Sequence, residues 1–462
     1  MSYLITPLSF IFILGAAVVL HEFGHFIVAK LFKIRVETFS VGFGPRLFGR
    51  KWGQTDYRVS AIPLGGYVKL GGDESNAPIE GEGAADIPRE ERFDLRPRWQ
   101  RILVALAGPV MNVITALSIP LAGALMYGVQ MAPAPVVSRM VSGGASEAAG
   151  LQRGDRIVSF NGIEHPKWKT IQGEALLAPG QPLPVVVERN GQPVSLMITP
   201  VSRVEEGDTV GELDFLPDYG DVPIILREVT ADSPASEAGL QPGDQILAVA
   251  GQPVHSSEQV TRFVSEHKGE PITITVKRDG RQLDFTATTR KLSDGKERLG
   301  IGPDEAIPLI RVGPVGAARY AVGMNVELLR LTSKALGQFF TGQRSARNTL
   351  SGPVGIYKAA GSAVARDGWN GLFTMLAFLS LNLGIFNLLP IPVLDGGAIF
   401  LLLIEGVLAT AGMKLSMRVR DRIQQVGFVM VLLLMVFVLS NDFIKLFSRG
   451  STNKPAATAP AK

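Results

Sequence analysis

The sequence contains no cysteine and only five histidines in 462 residues. Without cysteine, neither a disulfide framework nor a thiolate metal site is possible, so metal ligands must come from histidine or carboxylate side chains. Charged residues make up only 19% of the chain, and the formal net charge is +4 with the basic residues dispersed. Nucleic-acid binding normally needs a concentrated basic patch. We therefore expect no nucleic-acid partner.

Long apolar runs dominate the sequence, whose mean hydropathy is +0.22. Four stretches have the length and apolarity of membrane spans, at about 5–31, 102–128, 372–394 and 424–443. The first could be mistaken for a signal peptide, but no basic segment precedes it and no clear small-residue cleavage site is present. We interpret it as a retained helix, and the chain as a polytopic α-helical membrane protein with about four transmembrane helices.

The first apolar run contains His21, Glu22 and His25 in the spacing HExxH. Residues four apart share one face of an α-helix, so both imidazoles can bind the same zinc ion. Zinc lowers the pKa of a bound water to roughly 7, and Glu22 is close enough to take a proton from it. Ionisable side chains are costly in a bilayer and are therefore functional candidates. The motif predicts a hydrolytic zinc site; the alternative is a pair of interfacial histidines capping a helix end.

A second candidate segment, residues 387–397 (NLLPIPVLDGG), ends the third apolar run. Two prolines break the helix there, and irregular backbone survives in a bilayer only where protein or water covers it. A catalytic zinc takes three protein ligands, and Asp395 is the candidate for the third. The amide of Asn387 could orient a substrate backbone or help to bind an oxyanion. The alternatives are an interfacial turn for Asp395 and a helix–helix hydrogen bond for Asn387.

An internal repeat organises the chain between the second and third apolar runs. Residues 149–157 (AGLQRGDRI) recur 89 residues later as 238–246 (AGLQPGDQI), and the Asn-Gly turn at Asn190 recurs as Asp-Gly at Asp279. Each turn follows a strand-like segment, so two β-rich modules are expected. The AGLxxGDxI pattern resembles that of PDZ domains, which bind extended peptides by strand addition. Modules that serve only as spacers or steric gates are the alternative.

In combination, these motifs resemble the site-2 protease family of intramembrane zinc metalloproteases. The family has HExxH in its first span, NxxPxPxLDG at its third and PDZ modules between the second and third. Residues 108–112 (GPVMN) are similar to the GPxxN pattern of its second helix. The chain departs from many members at Ala398, where they have a histidine that is not a zinc ligand. The resemblance covers nearly the whole chain.

The resemblance implies a role for each candidate residue. His21, His25 and Asp395 would bind Zn²⁺, and Glu22 would be the base that activates the zinc water for attack on an unwound substrate strand. The candidate substrate-binding residues are Asn387, Pro390, Pro392, Gly65, Gly66 and Tyr67.

Residues 56–70 (DYRVSAIPLGGYVKL) alternate like strands around Pro63, with a turn predicted at Gly65 and Gly66. The resemblance implies a membrane-reentrant β-hairpin near this segment, one that pairs with substrate. A helical substrate hides its amides in its own hydrogen bonds, and amides exposed in lipid cost several kcal/mol each. An edge strand would supply replacement partners for the unwound bond. An ordinary cytoplasmic hairpin is the alternative.

The predicted order of parts combines the family pattern with the positive-inside rule, because Lys and Arg cluster after the first span and before the second. Residues 75–92 are expected to form a flexible cytoplasmic loop. Residues 398–411 either extend the third helix or lie against the membrane. Charge alone leaves the orientation of the last hairpin open. The parts are transmembrane helices at 1–31, 102–128, 372–397 and 424–443, cytoplasmic segments at 32–101 and 398–423, PDZ domains at 129–220 and 221–308, a periplasmic amphipathic helical region at 309–371, and a periplasmic tail at 444–462.

The predicted function is an intramembrane zinc endopeptidase of the bacterial inner membrane, with its PDZ domains in the periplasm. By resemblance, its substrates are single-span proteins in the lipid bilayer, including a trimmed anti-sigma factor of envelope stress signalling and remnant signal peptides. The PDZ pair would exclude untrimmed substrates. A non-enzymatic scaffold would not need the complete set of metal ligands. A metal transporter would need more ionisable residues in the spans than the sequence has.

Overall fold

The computed structural model describes residues 2–73, 87–141, 143–205, 208–220, 222–254, 257–267, 269–291, 297–342, 352–413 and 416–448. Most of the predicted flexible loop at 75–92 and of the predicted tail at 444–462 lies outside these residues. The chain divides into two units. The first combines residues 1–126, 202–210 and 313–462, and the second combines residues 127–201 and 211–312.

Within the described residues there are ten α-helices. In chain order they are α1 (Ser2–Leu31), α2 (Arg98–Tyr127), α3 (Ala145–Ala148), α4 (Trp168–Leu176), α5 (Pro234–Glu237), α6 (Ser257–Glu266), α7 (Pro314–Phe340), α8 (Pro353–Asn387), α9 (Asp395–Thr410) and α10 (Met417–Ser448).

Twenty β-strands accompany the helices in the described part of the chain. They are β1 (Val36–Trp52), β2 (Thr55–Leu70), β3 (Val129–Gln130), β4 (Ala134–Met140), β5 (Arg156–Phe160), β6 (Ile163–Glu164), β7 (Leu183–Arg189), β8 (Gln192–Ile198), β9 (Val201–Glu205), β10 (Asp208–Glu212), β11 (Phe215–Asp218), β12 (Ile224–Val229), β13 (Gln245–Val249), β14 (Gln252–Pro253), β15 (Pro271–Arg278), β16 (Arg281–Thr288), β17 (Arg290–Lys291), β18 (Glu297–Arg298), β19 (Ile301–Glu305) and β20 (Leu309–Ile310).

Four helices among the described residues are long and apolar enough to cross a membrane: Ile5–Leu31, Arg98–Tyr127, Pro353–Asn387 and Arg422–Asp442. Their number agrees with the number of apolar runs in the sequence. The third comprises Pro353–Asn387 but is divided at Gly368, so that its second part begins close to the predicted start near 372. Gly368, with φ +56° and ψ −129°, breaks the helical backbone within α8. Such dihedral angles are open to glycine and costly for other residues.

The hairpin differs from its prediction in both length and turn. Residues 55–70 form a single strand, β2, which pairs with β1, and the chain turns between Trp52 and Thr55. Gly65 and Gly66 therefore lie within β2 and not at a turn. The sequence pattern did not predict β1, because Gly42, Gly44 and Pro45 interrupt its alternation of apolar and polar residues. Glycine and irregular register shifts are typical of strands that bend strongly.

Because both strands bend, the first part of β1 has neighbours on two sides. Residues 36–41 pair with 66–70, from Val36–Leu70 to Val41–Gly66, and residues 38–41 also pair with 56–59 on their other side. Residues 48–52 pair with 55–59. Residues 66–70 are therefore at an edge of this sheet. Val36, Val68 and Leu70 pack with Ala29 of α1 and Val104 of α2 in one apolar cluster, which attaches the edge to both helices.

The segment after the third span is also corrected by the structure. Residues 388–394 are not helical, and Asp395 is the first residue of a new helix, α9. Residues 398–411 therefore do not extend α8. The two glycines after Asp395 permit a tight return of the chain. A methyl carbon at Gly396 would lie 2.3 Å from the Leu388 carbonyl carbon, and one at Gly397 would lie 2.1 Å from the Ile391 oxygen.

The 89-residue repeat corresponds to two sheets of the same strand order. Module 1 (β4 to β11) has the order β11-β4-β5-β7-β8, and module 2 (β12 to β19) has β19-β12-β13-β15-β16. Left-handed backbone positions recur at the same offset: Asn161 and Ala250 have φ of +51° and +50°, and Asn190 and Asp279 have φ of +52° and +51°. The repeated sequence therefore encodes turns as well as core positions.

Each module also contains a buried ion pair at the repeated Gly-Asp sequence. Asp155 is 1% exposed and binds Arg189 at 2.7 Å, and Asp244 binds Arg278 at 2.6 Å. Each arginine also donates to the carbonyl of the repeated glycine, Gly150 or Gly239. Burial raises the pKa of Asp155, but the hydrogen bonds from Arg189 and from the Gln152 amide outweigh it and hold that pKa below its ordinary value. The ion pair joins the segment between β4 and β5 to the turn between β7 and β8.

The described residues of the region at 309–371 include β20, α7 and the beginning of α8. One face of α7 exposes apolar side chains, among them Val322 and Val326, while Ala321 and Asn325 are buried. The Asn325 amide donates to Ala116 O of α2 at 3.0 Å. An amphipathic helix was expected here, and α7 is not among the four helices apolar enough to span a membrane.

Candidate metal centre

Helix α1 places the two histidines of the HExxH motif side by side. His21 and His25 are one turn apart, and their Nε2 atoms are 3.3 Å from each other. The His21 side chain is 6% exposed and the His25 side chain 13% exposed. Two imidazole nitrogens that face each other at this distance can serve one metal ion.

Helix α9 brings Asp395 to the same point from the far end of the sequence. Its Oδ2 is 3.0 Å from His21 Nε2, and its Oδ1 is 3.5 Å from His25 Nε2. One ligand atom from each of the three residues lies within 4.8 Å of the others. The prediction had grouped these residues from the motifs alone. The structure brings all three together.

The donor set fits zinc. Two imidazoles and one carboxylate are a known ligand set of catalytic zinc sites, which leave a further position open for water or substrate. The nitrogens and the carboxylate oxygens converge on one point, so a cation there would neutralise Asp395 and engage both rings. With no cysteine in the chain, a thiolate site is excluded.

Helix α2 holds the outer nitrogens of both rings. His25 Nδ1 lies 2.7 Å from the Val104 carbonyl oxygen. His21 Nδ1 lies 3.1 Å from the Asn112 amide, which is fully buried. The sequence had singled out residues 108–112 as a pattern but assigned no contact to them. Spacing along one chain segment cannot show which side chain of a second helix reaches a ring.

Two glycines let α1 and α2 approach closely at the site. A methyl carbon at Gly108 would lie 2.3 Å from His25 Nε2 and 2.8 Å from His21 Cε1. One at Gly24 would lie 2.2 Å from the Ala107 oxygen. The absence of a side chain at Gly24 lets the backbones of α1 and α2 approach, and its absence at Gly108 leaves the space that the imidazoles occupy. Gly108 is thus a second residue of the site that the motif search did not assign.

Glu22 faces the sheet. Its Oε2 accepts a hydrogen bond from the Val68 amide at 3.2 Å. Because Val68 belongs to the edge formed by residues 66–70, this N–H is directed away from β1. The carboxylate of the HExxH glutamate and the free edge of the sheet are therefore neighbours.

Asn387, at the end of α8, reaches the histidines directly. Its Nδ2 is 3.2 Å from His21 Nε2. Pro390 and Pro392 lie on the non-helical segment between α8 and α9, where Pro390 is exposed. A methyl carbon at Gly427 of α10 would lie 2.2 Å from Pro392 Cβ, so glycine allows α10 to pack directly on this segment.

The predicted substrate residues of the hairpin have different surroundings. Gly65 and Gly66 are buried in β2, and a methyl carbon at Gly66 would lie 3.6 Å from Val19 of α1. Tyr67 is also buried, and its ring stacks on Phe43 at 6.2 Å between centroids. The backbone of this strand lies next to Glu22, while the Tyr67 side chain is already packed within the sheet.

The sequence matches the model of peptidase family M50 over residues 9–434. The chain belongs to peptidase family M50. It is therefore a metalloprotease, and the family match includes the three candidate metal ligands and at least part of each of the four apolar helices.

The sequences of several relatives align with this M50 peptidase along nearly their full lengths. It is 34% identical to the regulator of sigma-E protease RseP of Salmonella typhimurium over 466 residues, covering 95% of this chain and 98% of that one. The identity to RseP of Escherichia coli is 34% over 474 residues, covering 96% and 100%. A relative from Pasteurella multocida, provisionally named a zinc metalloprotease, is 34% identical over 473 residues, covering 96% and 100%. The chain is a zinc metalloprotease of this family.

Two solved structures each resemble a small part of the peptidase. A PDZ domain of an SdrC-like protein from Listeria monocytogenes is 22% identical, covers 18% of this chain and 88% of its own, and gives a TM-score of 0.17. A solution structure from Geobacillus thermodenitrificans is 27% identical, covers 18% and 97%, and gives 0.16. These TM-scores are too low to identify the fold of modules 1 and 2.

Proposed function

We propose that this M50 peptidase is an intramembrane endopeptidase that hydrolyses peptide bonds within the transmembrane segments of single-span proteins. The observation that carries the proposal is the meeting of His21, His25 and Asp395 within 4.8 Å, with both histidines on a helix long and apolar enough to span a membrane. A hydrolytic centre with this location is suited to substrates that are themselves in the bilayer.

The three ligands would hold zinc through His21 Nε2, His25 Nε2 and the Asp395 carboxylate. When bound, zinc polarises the scissile carbonyl and makes an attacking water acidic enough to react near neutral pH. Glu22 follows His21 on the same helix, and its carboxylate removes the proton from that water. The same carboxylate then returns a proton to the amine that leaves, as general acid–base catalysis requires.

Asn387 would position the substrate. Its amide nitrogen lies 3.2 Å from His21 Nε2, at the ring nitrogen that faces Asp395. An amide N–H there can donate to the carbonyl oxygen of the scissile bond and to the oxyanion that forms from it. Pro390, which is exposed, and Pro392, which is half-buried, follow on the non-helical segment, where they would line the path of the substrate backbone.

The edge of β2 would receive the unwound substrate. Residues 66–70 are at the edge of the sheet, and the Val68 amide lies beside Glu22. A substrate segment that leaves its helix exposes amides, which cost several kcal/mol each in lipid unless they find new partners. Strand addition at this edge would supply those partners next to the base. This role requires the hairpin to enter the membrane.

The substrates are inferred from the relatives' names. The relatives from Salmonella typhimurium and Escherichia coli are regulators of sigma-E, and this supports a membrane-spanning anti-sigma factor as substrate, already trimmed by another protease. Remnant signal peptides are a second substrate of the same single-span kind. In this proposal the enzyme lies in the bacterial inner membrane, and modules 1 and 2 are periplasmic PDZ domains that exclude untrimmed substrates by size.

The test uses full-length protein purified in detergent and a single-span substrate. Cleavage is compared for the wild type, Glu22→Gln and the matched control Glu405→Gln, which removes a carboxylate paired with Arg420 on another helix. A parallel reaction contains a zinc chelator, and mass spectrometry maps the cut. We expect cleavage inside the span for wild type and control, and none for Glu22→Gln or with chelator. Wild-type cleavage by Glu22→Gln, or a cut outside the span, would reject the proposal.

A further inference from the structure

A buried amide lies against the outer nitrogen of one candidate ligand. Asn112 of α2 is 0% exposed, and its side chain is 3.1 Å from His21 Nδ1. As placed, its Nδ2 faces the ring, and its Oδ1 has no hydrogen-bond partner among the described residues. Buried polar atoms are normally satisfied, so this amide needs an explanation beyond packing.

His25 shows what a ligand ring requires. Its Nδ1 is 2.7 Å from the Val104 carbonyl oxygen. A carbonyl can only accept a hydrogen bond, so the Nδ1 of His25 carries the proton. Its Nε2 then has a free lone pair, and this atom faces Asp395 at 3.5 Å. The backbone of α2 thereby selects the ring form that can bind a metal ion.

His21 needs the same selection, and no backbone carbonyl provides it in the contacts of the described residues. Its Nε2 faces Asp395 at 3.0 Å, so the proton must be on Nδ1 if this ring is to bind a cation through Nε2. Among the contacts of the described residues, Asn112 is the side chain placed to supply the acceptor at Nδ1. A half-turn of the amide about its Cβ–Cγ bond exchanges its nitrogen for its oxygen, and the orphaned Oδ1 then accepts from Nδ1–H.

We propose that Asn112 is a positioning residue for the metal centre. Its amide oxygen accepts a hydrogen bond from His21 Nδ1–H, fixes the ring form and orientation, and leaves Nε2 free for zinc. The inference rests on the zinc site proposed above and deepens it. The competing explanation is that Asn112 serves only in packing, because it lies close to α8. A methyl carbon placed at Gly384 of α8 would lie 3.2 Å from Asn112 Cβ.

The test compares side chains of similar size at position 112 in the full-length purified protein. Asn112→Leu removes the acceptor, Asn112→Asp keeps one, and Thr115→Val is the matched control. Thr115 is buried on the same helix, and its hydroxyl bonds only within that helix, to Met111 O at 2.9 Å. Zinc affinity is measured by competition with a chelator, and the absorption spectrum of the cobalt-substituted protein reports on ligand geometry. Thermal unfolding of the metal-free protein reports on packing.

We expect Asn112→Leu to bind zinc about 10- to 100-fold more weakly, as with other partners of metal-bound histidines, and to change the cobalt spectrum. Asn112→Asp restores the affinity, and Thr115→Val matches the wild type. Wild-type affinity in Asn112→Leu, with zinc lost in His21→Ala, overturns the role of Asn112 and leaves the zinc site intact. Failure of the wild type to bind zinc overturns the proposed function. If Asn112→Leu does not fold, Asn112→Asp decides, because weak zinc binding by that folded variant overturns the inference.

Discussion

Replacing Gly108 by alanine tests how closely α2 must pack against the two histidines. The added methyl carbon would lie 2.3 Å from His25 Nε2, 2.6 Å from His25 Cε1 and 2.8 Å from His21 Cε1. Non-bonded heavy atoms attract best at about 3.5–4.0 Å and repel at much shorter separations. At least one ring, or α2 itself, must therefore move by roughly 1 Å.

A shift of this size is large for a metal site. Metal–ligand distances are held within about 0.2 Å, and a misplacement of about 1 Å can cost roughly 100-fold in rate. We expect Gly108→Ala to reduce kcat/KM about 100-fold and to weaken zinc binding. The helix itself should not suffer, because alanine is a better helix former than glycine by about 1 kcal/mol.

The assay measures kcat/KM on a single-span substrate and zinc content per chain after mild chelator treatment. Gly123→Ala is the matched control on the same helix, since a methyl carbon there has no described atom within 4 Å. This control should keep full activity and zinc, and α2 should become slightly more stable. If Gly108→Ala kept wild-type activity and zinc content, the close packing of α2 against the two imidazole rings would not be needed for activity, and our account of Gly108 would be wrong.

The other predictions concern stability. Asp442→Ala should lower the free energy of unfolding by about 1–2 kcal/mol, because its carboxylate accepts from two backbone amides at the start of α8; an unchanged midpoint in thermal unfolding would contradict this. Ala250→Gly should stabilise module 2 by about 1 kcal/mol because Ala250 has φ +50°, whereas Asn161→Gly should destabilise module 1 because Asn161 also binds a buried carboxylate. Hydrogen exchange in each module distinguishes these two, and equal effects would refute the comparison. Burial raises the pKa of Asp155, but Arg189 holds it below its ordinary value. The pair's contribution is therefore complete above roughly pH 4 and is lost as pH falls through the lower folded-state pKa. Asp155→Asn should remove this acid-dependent loss of protection, and an unaltered pH profile would refute it.

The candidate metal ligands could be predicted because their signals are local. Two histidines four apart on a helix must share a face, and an aspartate at the end of a proline-broken span is unusual enough to identify. The repeat could be predicted because its glycines and turn formers are required by left-handed backbone positions, such as those at Asn190 and Asp279.

Features that depend on a second segment could not be predicted in this way. The contact of Asn112 with His21 depends on how α2 packs on α1. The residue types at these two positions do not specify that packing. Strand β1 was missed because it bends: residues 38–41 pair with 66–70 on one side and 56–59 on the other, while residues 48–52 pair with 55–59, and such a strand has no regular alternation. The part of α8 before Gly368 was not predicted, because Lys358, Arg366 and Gly368 interrupt the apolar pattern of a continuous span.

The hydrogen bond from Val68 to Glu22 has a consequence for the order of events in the proposed reaction. A backbone amide has one hydrogen, and at present Val68 gives it to the glutamate. A peptide that adds to this edge at Val68 needs the same hydrogen for its own carbonyl. Docking of a strand at Val68 would therefore break the hydrogen bond to Glu22 Oε2, so that substrate binding and the release of this carboxylate oxygen would be a single exchange.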